Sequence, residues 1–412
     1  MMEMVNKFVE IHKMTKKIRQ AYTFCFHVNY LGMVFVACLF PLLSFAQATV
    51  WSEEMTDQLE KMGMLHVRAL ETEKHKMIGL EQGRYRFAPK GLDKVFELMN
   101  PKVLDEDTLS VLLFSRGLPL LTFQQINGQM GRPIWEKGGL FKRLNSISPR
   151  QPASGRLELL IGPALRYQLG NFDYPVQAAV DLQTGWDYLI RPGLSFQGII
   201  AWPAFNNYDE KTKPRLERAV FVGDYLHAGR WFTSMAVGFF SLNRVGTHLS
   251  SRWWLPDERF SLRLDAGFTR FSGITGPVRF EIEEKKWTPV LIGGLEYHWR
   301  KYALTLRMSG GRFLYDDEGL LLEAFRNMGE YRFGFFASAT SVGKNLGFQW
   351  AMPLFPARYA RPGRIRIRTS NPFPLNYRYR GLKRDGRMYQ TGNMLTEQLY
   401  GFYPQFFIDE MK

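Results

Sequence analysis

The chain has 412 residues, of which 15% are aromatic and 23% are charged, and its formal net charge is +15. The mean hydropathy is slightly negative, which argues against a bundle of membrane helices. Both cysteines, Cys25 and Cys38, lie near the N-terminus, so the remaining chain has neither a disulfide framework nor a cysteine-based metal site. A basic surplus suits nucleic acid, anionic lipid or an acidic polymer. No arginine-rich arm or zinc-finger spacing favours nucleic acid.

Residues 1–48 are predicted to be a secretory signal peptide. Lysines and an arginine between residues 13 and 19 precede a nearly unbroken apolar run at residues 31–45, and small residues up to Ala48 offer a cleavage site. An uncleaved helical anchor is the alternative, although the run is shorter than the ~20 residues that a bilayer needs. Cys38 is a poor lipidation site because much of the apolar run follows it.

Residues 49–127 are predicted to form a small periplasmic α/β domain with the order α-β-β-α-β-β. Met55, Leu59 and Met62 share one face of the first predicted helix. Apolar side chains at this spacing indicate a packed core rather than a cofactor site. Residues 128–154 are rich in Gly, Pro and Ser, and we expect them to be a connector.

Residues 155–412 are predicted to form an antiparallel transmembrane β-barrel of about twelve strands, so the fold class is mainly β. Leu262 and Leu264 alternate with Ser261, Arg263 and Asp265, and similar alternation recurs up to about residue 370. Side chains alternate between the two faces of a strand, so each segment has one apolar face and one mixed face. A soluble β-sandwich would alternate in the same way.

Three features favour the barrel over the sandwich. The segments approach the 9–11 residues of a tilted membrane-spanning strand, the mixed face resembles a lumen wall, and aromatic residues recur near segment ends. Residues 228–229 and 300–301 are expected to be short turns, whereas residues 206–213 form a longer loop. Residues 371–412 are a basic, aromatic tail, in which residues 406–408 are a weak candidate for a closing strand.

Arginines are the most informative polar residues. Arg364, Arg366 and Arg368 alternate with apolar or small residues, so a strand would place their guanidinium groups on one face. A guanidinium group matches carboxylate and phosphate geometry. The alternative is a solvated or periplasmic edge. The candidate contacts for an anionic polymer are Arg307, Arg312, Arg326, Arg332, Arg364, Arg366 and Arg368.

The sequence offers no motif for catalysis, a cofactor or a metal. The histidines after residue 48 lack the spacing of a metal pair, and no nucleophile-elbow, zinc-protease or phosphate-loop pattern occurs. We therefore expect no enzymatic activity and no cofactor. A barrel enzyme acting on lipid or glycan is the alternative, and it would need a serine or an acid beside His227, His248 or His298 at the rim.

Two stretches carry a resemblance to a known family. Residues 237–271, which include RWWLPDERFSLRLDAGF, and residues 293–342 are similar to the barrel repeats of YjbH/GfcD-type exopolysaccharide biosynthesis proteins. The segments EQGRYRFAPKGLDKVFELM and LLFSRGLPLL resemble the α/β segment of that family. The resemblance covers roughly residues 52–125 and 215–355. The positions that fill the family pattern are Arg312, Asp317, Gly319, Glu323 and Arg326.

This resemblance implies an outer-membrane protein that assists exopolysaccharide or capsule biosynthesis and secretion, without established catalytic residues. The expected partners are outer-membrane lipid, an acidic polysaccharide, and periplasmic or outer-membrane export proteins. A general outer-membrane pore and a POTRA-like assembly barrel are alternatives. The POTRA reading fits less well, because those modules run β-α-α-β-β.

Overall fold

The fold was analysed in a computed structural model of the chain. The predicted signal peptide, residues 1–48 with Cys38, lies outside the described residues. Among the described residues, no helix is both long enough and apolar enough to cross a membrane. The structure describes residues 49–99, 108–169, 175–209, 211–227, 229–275, 279–281, 286–370, 372–379 and 385–411.

The N-terminal part of the described chain builds a small α/β module, which we define as residues 50–144. Its first six elements follow the expected order α-β-β-α-β-β. Strands β2 and β3 pair in parallel across the second helix, and the other pairs are antiparallel. The elements are α1 Val50–Met62, β1 Leu65–Thr72, β2 His75–Glu81, α2 Ala88–Met99, β3 Thr108–Ser115, β4 Leu118–Ile126, β5 Gln129–Met130, β6 Ile134–Trp135 and α3 Gly139–Leu144.

The predicted connector, residues 128–154, contains two short strands and one short helix. Strands β5 and β6 pair with β4, and α3 packs its Leu144 against Phe114 of the module. Trp135 is fully buried in the main core. The module therefore continues beyond the predicted boundary at residue 127. Removal of a large aromatic ring such as this indole from water contributes strongly to core stability.

Residues 156–378 are mainly β, and most of their strands form one large sheet. The order within it is β21-β7-β8-β9-β10-β11-β12-β13-β16-β17-β18-β19-β20-β22, and β14 pairs with β15 separately. The strands are β7 Arg156–Leu169, β8 Val176–Arg191, β9 Leu194–Asn206, β10 Arg215–His227, β11 Trp231–Phe240, β12 Arg244–Trp254, β13 Phe260–Phe271, β14 Gly273–Thr275, β15 Arg279–Glu281, β16 Thr288–Trp299, β17 Leu304–Arg312, β18 Glu318–Met328, β19 Tyr331–Thr340, β20 Lys344–Met352, β21 Ile365–Thr369 and β22 Phe373–Arg378.

The sheet has fourteen strands rather than about twelve. Strands β7 to β13 and β16 to β20 form the expected antiparallel series, and the two further strands come from the stretch 365–378. Of these two strands, β21 pairs in parallel with β7, and β22 pairs antiparallel with β20. No ladder between described residues joins β21 directly to β22, so the hydrogen-bonded series is open there. Only residues 370–372 separate the two edge strands along the chain.

The large sheet exposes apolar side chains on one face and buries a mixture of polar, charged and apolar side chains on the other. On β13, Leu264 is 45% exposed whereas Asp265 is 5% exposed. Leu320 and Phe335 are exposed on other strands, while Glu296 is completely buried. A soluble sheet would show the reverse arrangement, so this apolar face is suited to contact with lipid.

Connections at the two ends of the large sheet vary in length. The end beside the module has short turns at residues 192–193 and 329–330 and a longer connection at residues 353–364. The other end has short connections at residues 241–243 and 341–343 and a longer one at residues 207–214. Both ends therefore combine short and long connections.

The predicted tail, residues 371–412, begins with the edge strand β22 and then becomes helical. Its helices are α4 Leu395–Gln398 and α5 Pro404–Glu410, separated by a 3₁₀ turn. The predicted strand at residues 406–408 is therefore wrong. Pro404 is the first residue of α5, where its missing N–H has no cost, and Phe407 is buried in the core shared with the module.

Candidate functional site: the arginine-lined interior

A network of charged side chains lies on the buried face of the large sheet. The Glu296 carboxylate accepts hydrogen bonds from Arg252, from Ser261 Oγ at 2.8 Å and from Arg307 Nε at 2.7 Å. Arg307 also donates to Glu323 at 2.7 Å. Burial of these charges is tolerated because each has an opposite charge and further hydrogen-bond partners.

The C-terminal segment, residues 385–411, completes this network. The Tyr400 hydroxyl donates to Glu296 and accepts from Arg307. The Arg252 guanidinium lies 3.9 Å from the centroid of the Tyr400 ring, which is a favourable cation–π contact. Further along, Tyr403 stacks on Trp254 with ring centroids 5.1 Å apart.

One arginine of the module reaches into the same interior. Arg116 forms ion pairs with Asp187 at 3.1 Å and with Asp224 at 3.3 Å. Burial opposes its charge, yet these carboxylates raise the pKa of Arg116 above its ordinary value. At the adjacent Gly117, a side chain would collide with Pro192 in the β8–β9 turn. The module is thus joined to the large sheet by charge pairing and by close packing.

A cavity of about 650 Å³ lies between the module, the large sheet and the C-terminal segment. Arg332, Arg366 and Arg368 line it together with carboxylates, side-chain amides and aromatic rings. On the module side, burial raises the pKa of Glu81 above its ordinary value. The backbone N–H groups of Arg116 and Gly117 donate hydrogen bonds to this carboxylate and oppose that rise. Further residues that line the cavity are Tyr85, Glu158, Asn327, Asn393, Gln398, Phe402 and Phe406.

The charges around this cavity are unevenly paired. Arg366 and Arg368 both form ion pairs with Glu158. Arg332 bonds to the Asn327 amide oxygen at 2.9 Å and lies 5.2 Å from the Tyr400 ring centroid, but it has no ion pair with a carboxylate among the described residues. A guanidinium group without a carboxylate partner favours binding of an anionic ligand.

The structure brings together only part of the predicted arginine set. Arg332, Arg366 and Arg368 meet at the cavity although they come from strands at opposite ends of the ladder. Arg307 belongs to the neighbouring charge network. The remaining three are not at the cavity: Arg312 pairs with Asp316 in the β17–β18 turn, Arg326 is exposed on the same face as Leu322, and Arg364 is exposed before β21.

Sequence reasoning missed Arg116 and the tail tyrosines. Arg116 interrupts two apolar runs, and a lone charge at such a place is a signal that could have marked it. Tyr400 has no comparable signal, because nothing near it in sequence indicates a partner in the interior.

Comparisons with known proteins give only a coarse match. No protein-family model matches the chain, and no curated protein matches it. The solved structures that match include OmpTdeltaL8 (loop L8 deletion mutant of OmpT), an outer membrane protein of Vibrio cholerae. It has 8% sequence identity and a TM-score of 0.26, and the match covers 47% of this chain and 85% of that chain.

A second match is OmpT (in-vitro folded), an outer membrane protein of Vibrio cholerae, at 8% identity with a TM-score of 0.23 and coverage of 47% and 79% of the two chains. Likeness at this level carries no functional argument. The assignment of the large sheet to a membrane rests instead on its exposed apolar face.

The prediction that this chain has no enzymatic activity is wrong as an inference from motifs. The finding against it is an array in the interior: His248 Nε2 lies 3.5 Å from Asp265, and His248 Nδ1 lies 3.1 Å from the Tyr389 hydroxyl. Linear spacing of the histidines did not reveal this acid–histidine–tyrosine array, so the lack of motifs excludes nothing.

Proposed function

We propose that this protein is an outer-membrane β-barrel that assists the secretion or assembly of an acidic exopolysaccharide. The observation that carries the proposal is the arginine-lined cavity inside a sheet whose other face is apolar. In this proposal Arg332, Arg366 and Arg368 hold a segment of the polymer as it passes the module.

The chemistry of the cavity supports an acidic glycan. Guanidinium groups bind carboxylates through paired hydrogen bonds, and side-chain amides such as those of Asn327, Asn393 and Gln398 suit sugar hydroxyls. Aromatic rings such as Phe402 offer apolar surface to sugar rings. A volume of about 650 Å³ lies within the ordinary range for ligand sites.

The location is part of the same proposal. The signal-like pattern of residues 13–48 and the exposed apolar face of the sheet favour an outer-membrane location, and in this proposal the module lies in the periplasm. There the module would face periplasmic export proteins, which are the proposed protein partners.

The test compares two arginine variants of the purified full chain. Arg332→Gln should weaken binding of polygalacturonate oligosaccharides by about tenfold or more, because a charge-assisted hydrogen bond contributes roughly 1.5–3 kcal/mol. Arg312→Gln is the matched control and should bind normally, since Arg312 lies in a turn away from the cavity. Isothermal titration calorimetry measures both, with a neutral dextrin as the uncharged comparison.

Two results would count against the proposal. One is equal binding by both variants. The other is deletion of the gene without any change in surface polysaccharide, measured as bound and released uronic acid.

A general pore is the second candidate, favoured by the polar buried face of fourteen strands. Ion conductance that is independent of any polymer, and unaffected by Arg332→Gln, would favour the pore.

A further inference from the structure

The C-terminal segment, residues 385–411, crosses the buried face of almost the entire large sheet. Near its start, Asp385 accepts from Ser338 Oγ on β19 at 3.0 Å and from Asn345 on β20 at 3.3 Å. Farther on, the N–H of Asn393 donates to Gln197 on β9 at 2.8 Å. One short segment can reach strands so far apart in the ladder only if this face is concave and the segment lies inside the curve.

The first half of the segment is held to the sheet by hydrogen bonds and by the buried side chains of Met394 and Leu395. The Leu395 N–H donates to Asp224 at 2.9 Å, and Thr396 Oγ1 bonds to Ser250 Oγ at 3.0 Å. Water can replace such bonds at a modest net cost per bond. Tyr389 and Met394 add apolar contacts, and these contacts favour the docked position of the segment over a released one.

The second half is fixed to the module as well as to the sheet. Leu399 and Phe407 are fully buried in the core that includes Leu59 and Phe123 of the module. The segment therefore has one end anchored by apolar packing and one stretch bound to the wall by polar contacts.

The wall behind the segment is polar. Side chains such as Ser195, Ser234, Ser250, Asp265 and Thr269 are buried on this face. Eight strands already enclose enough space to be filled by side chains, so fourteen enclose more than the wall side chains can fill. Withdrawal of the segment would leave a water-filled passage.

We propose that residues 385–411 are a plug that closes a hydrophilic passage through the sheet, and that release of their first half opens it to ions and small polar solutes. This inference rests on the proposed membrane location of the sheet but not on the acidic polymer, because its evidence is the polar wall and the contacts of the plug with it.

The first arm of the test removes the plug. A chain ending at residue 384 is refolded in detergent and added to planar bilayers. Steady conductance is expected from this chain, whereas the full chain should be closed with brief openings. Heat-modifiable migration on a gel checks that the truncated chain has folded. A folded truncated chain that does not conduct would overturn the proposal.

The second arm keeps the full chain and decides the matter if the truncated chain does not fold. Ser250→Cys with Thr396→Cys should form a disulfide under oxidation and abolish the brief openings, and a reductant should restore them. Ser251→Cys with Thr396→Cys is the matched control, because Ser251 lies on the other face with Trp231. Unchanged openings on oxidation of the first pair, or no openings in its reduced form, would overturn the proposal.

Discussion

The α/β module and the large sheet differ in the side chains that they bury. The module strands are buried on both faces and are mainly apolar, as Ile78 and Val111 are. The large sheet buries one face only, on which Glu296 and Arg252 lie beside apolar residues, while Leu264 lies on the exposed face. The difference shows that strand alternation sets which side chains share a face, while packing and the surrounding solvent decide which faces are buried.

The largest expected effect comes from the buried charges of the sheet. Glu296→Gln leaves Arg252 and Arg307 without their shared carboxylate, and we expect the free energy of unfolding to fall by about 3–5 kcal/mol. Urea unfolding in detergent micelles, followed by tryptophan fluorescence, measures this.

Asp316→Asn is the matched control for this change. It removes an exposed partner of Arg312 and should cost no more than about 1 kcal/mol. Equal losses for the two variants would show that the interior behaves like ordinary surface.

A charged substitution on the apolar face tests whether this face contacts lipid or water. Leu264→Arg places a cation on that face and should cost about 2–4 kcal/mol at mid-membrane depth, measured by folding into lipid vesicles. Gln129→Arg on the exposed part of the module should cost almost nothing. Normal vesicle folding of Leu264→Arg would contradict contact between this face and lipid.

The module should show its own dependence on pH. Burial, together with the nearby charge of Arg68, lowers the pKa of His66 from 6.5 to about 4. Between these values the unfolded chain binds a proton that the folded chain does not. Stability is therefore complete above pH 6.5 and falls by up to about 3 kcal/mol as the pH decreases to 4.

His66→Asn is the variant that tests this pH effect. Asparagine tolerates the positive φ of 55° at this position and carries no titrating proton. Urea midpoints at pH 7.5 and pH 4.5 should differ less in the variant than in the unaltered chain. An equal difference in both would assign the pH effect to other groups.

The strands of the large sheet were predictable because their pattern is local. Leu262 and Leu264 alternate with Ser261 and Asp265 whatever lies around them, and the structure places them on opposite faces as expected. The tail was not predictable in this way. An apolar triplet at residues 406–408 fits a strand or a helix equally well, and only packing of Phe407 against the module selects the helix.

By itself, the sequence determined the elements of the module, the period of the long strands and the presence of many arginines. Tertiary structure decided which arginines meet, because Arg332 and Arg366 are brought to one cavity from strands at opposite ends of the ladder. It also decided that the tail lies inside the sheet. Both outcomes depend on contacts between residues far apart in the chain, and a periodic pattern of side chains carries no information about such contacts.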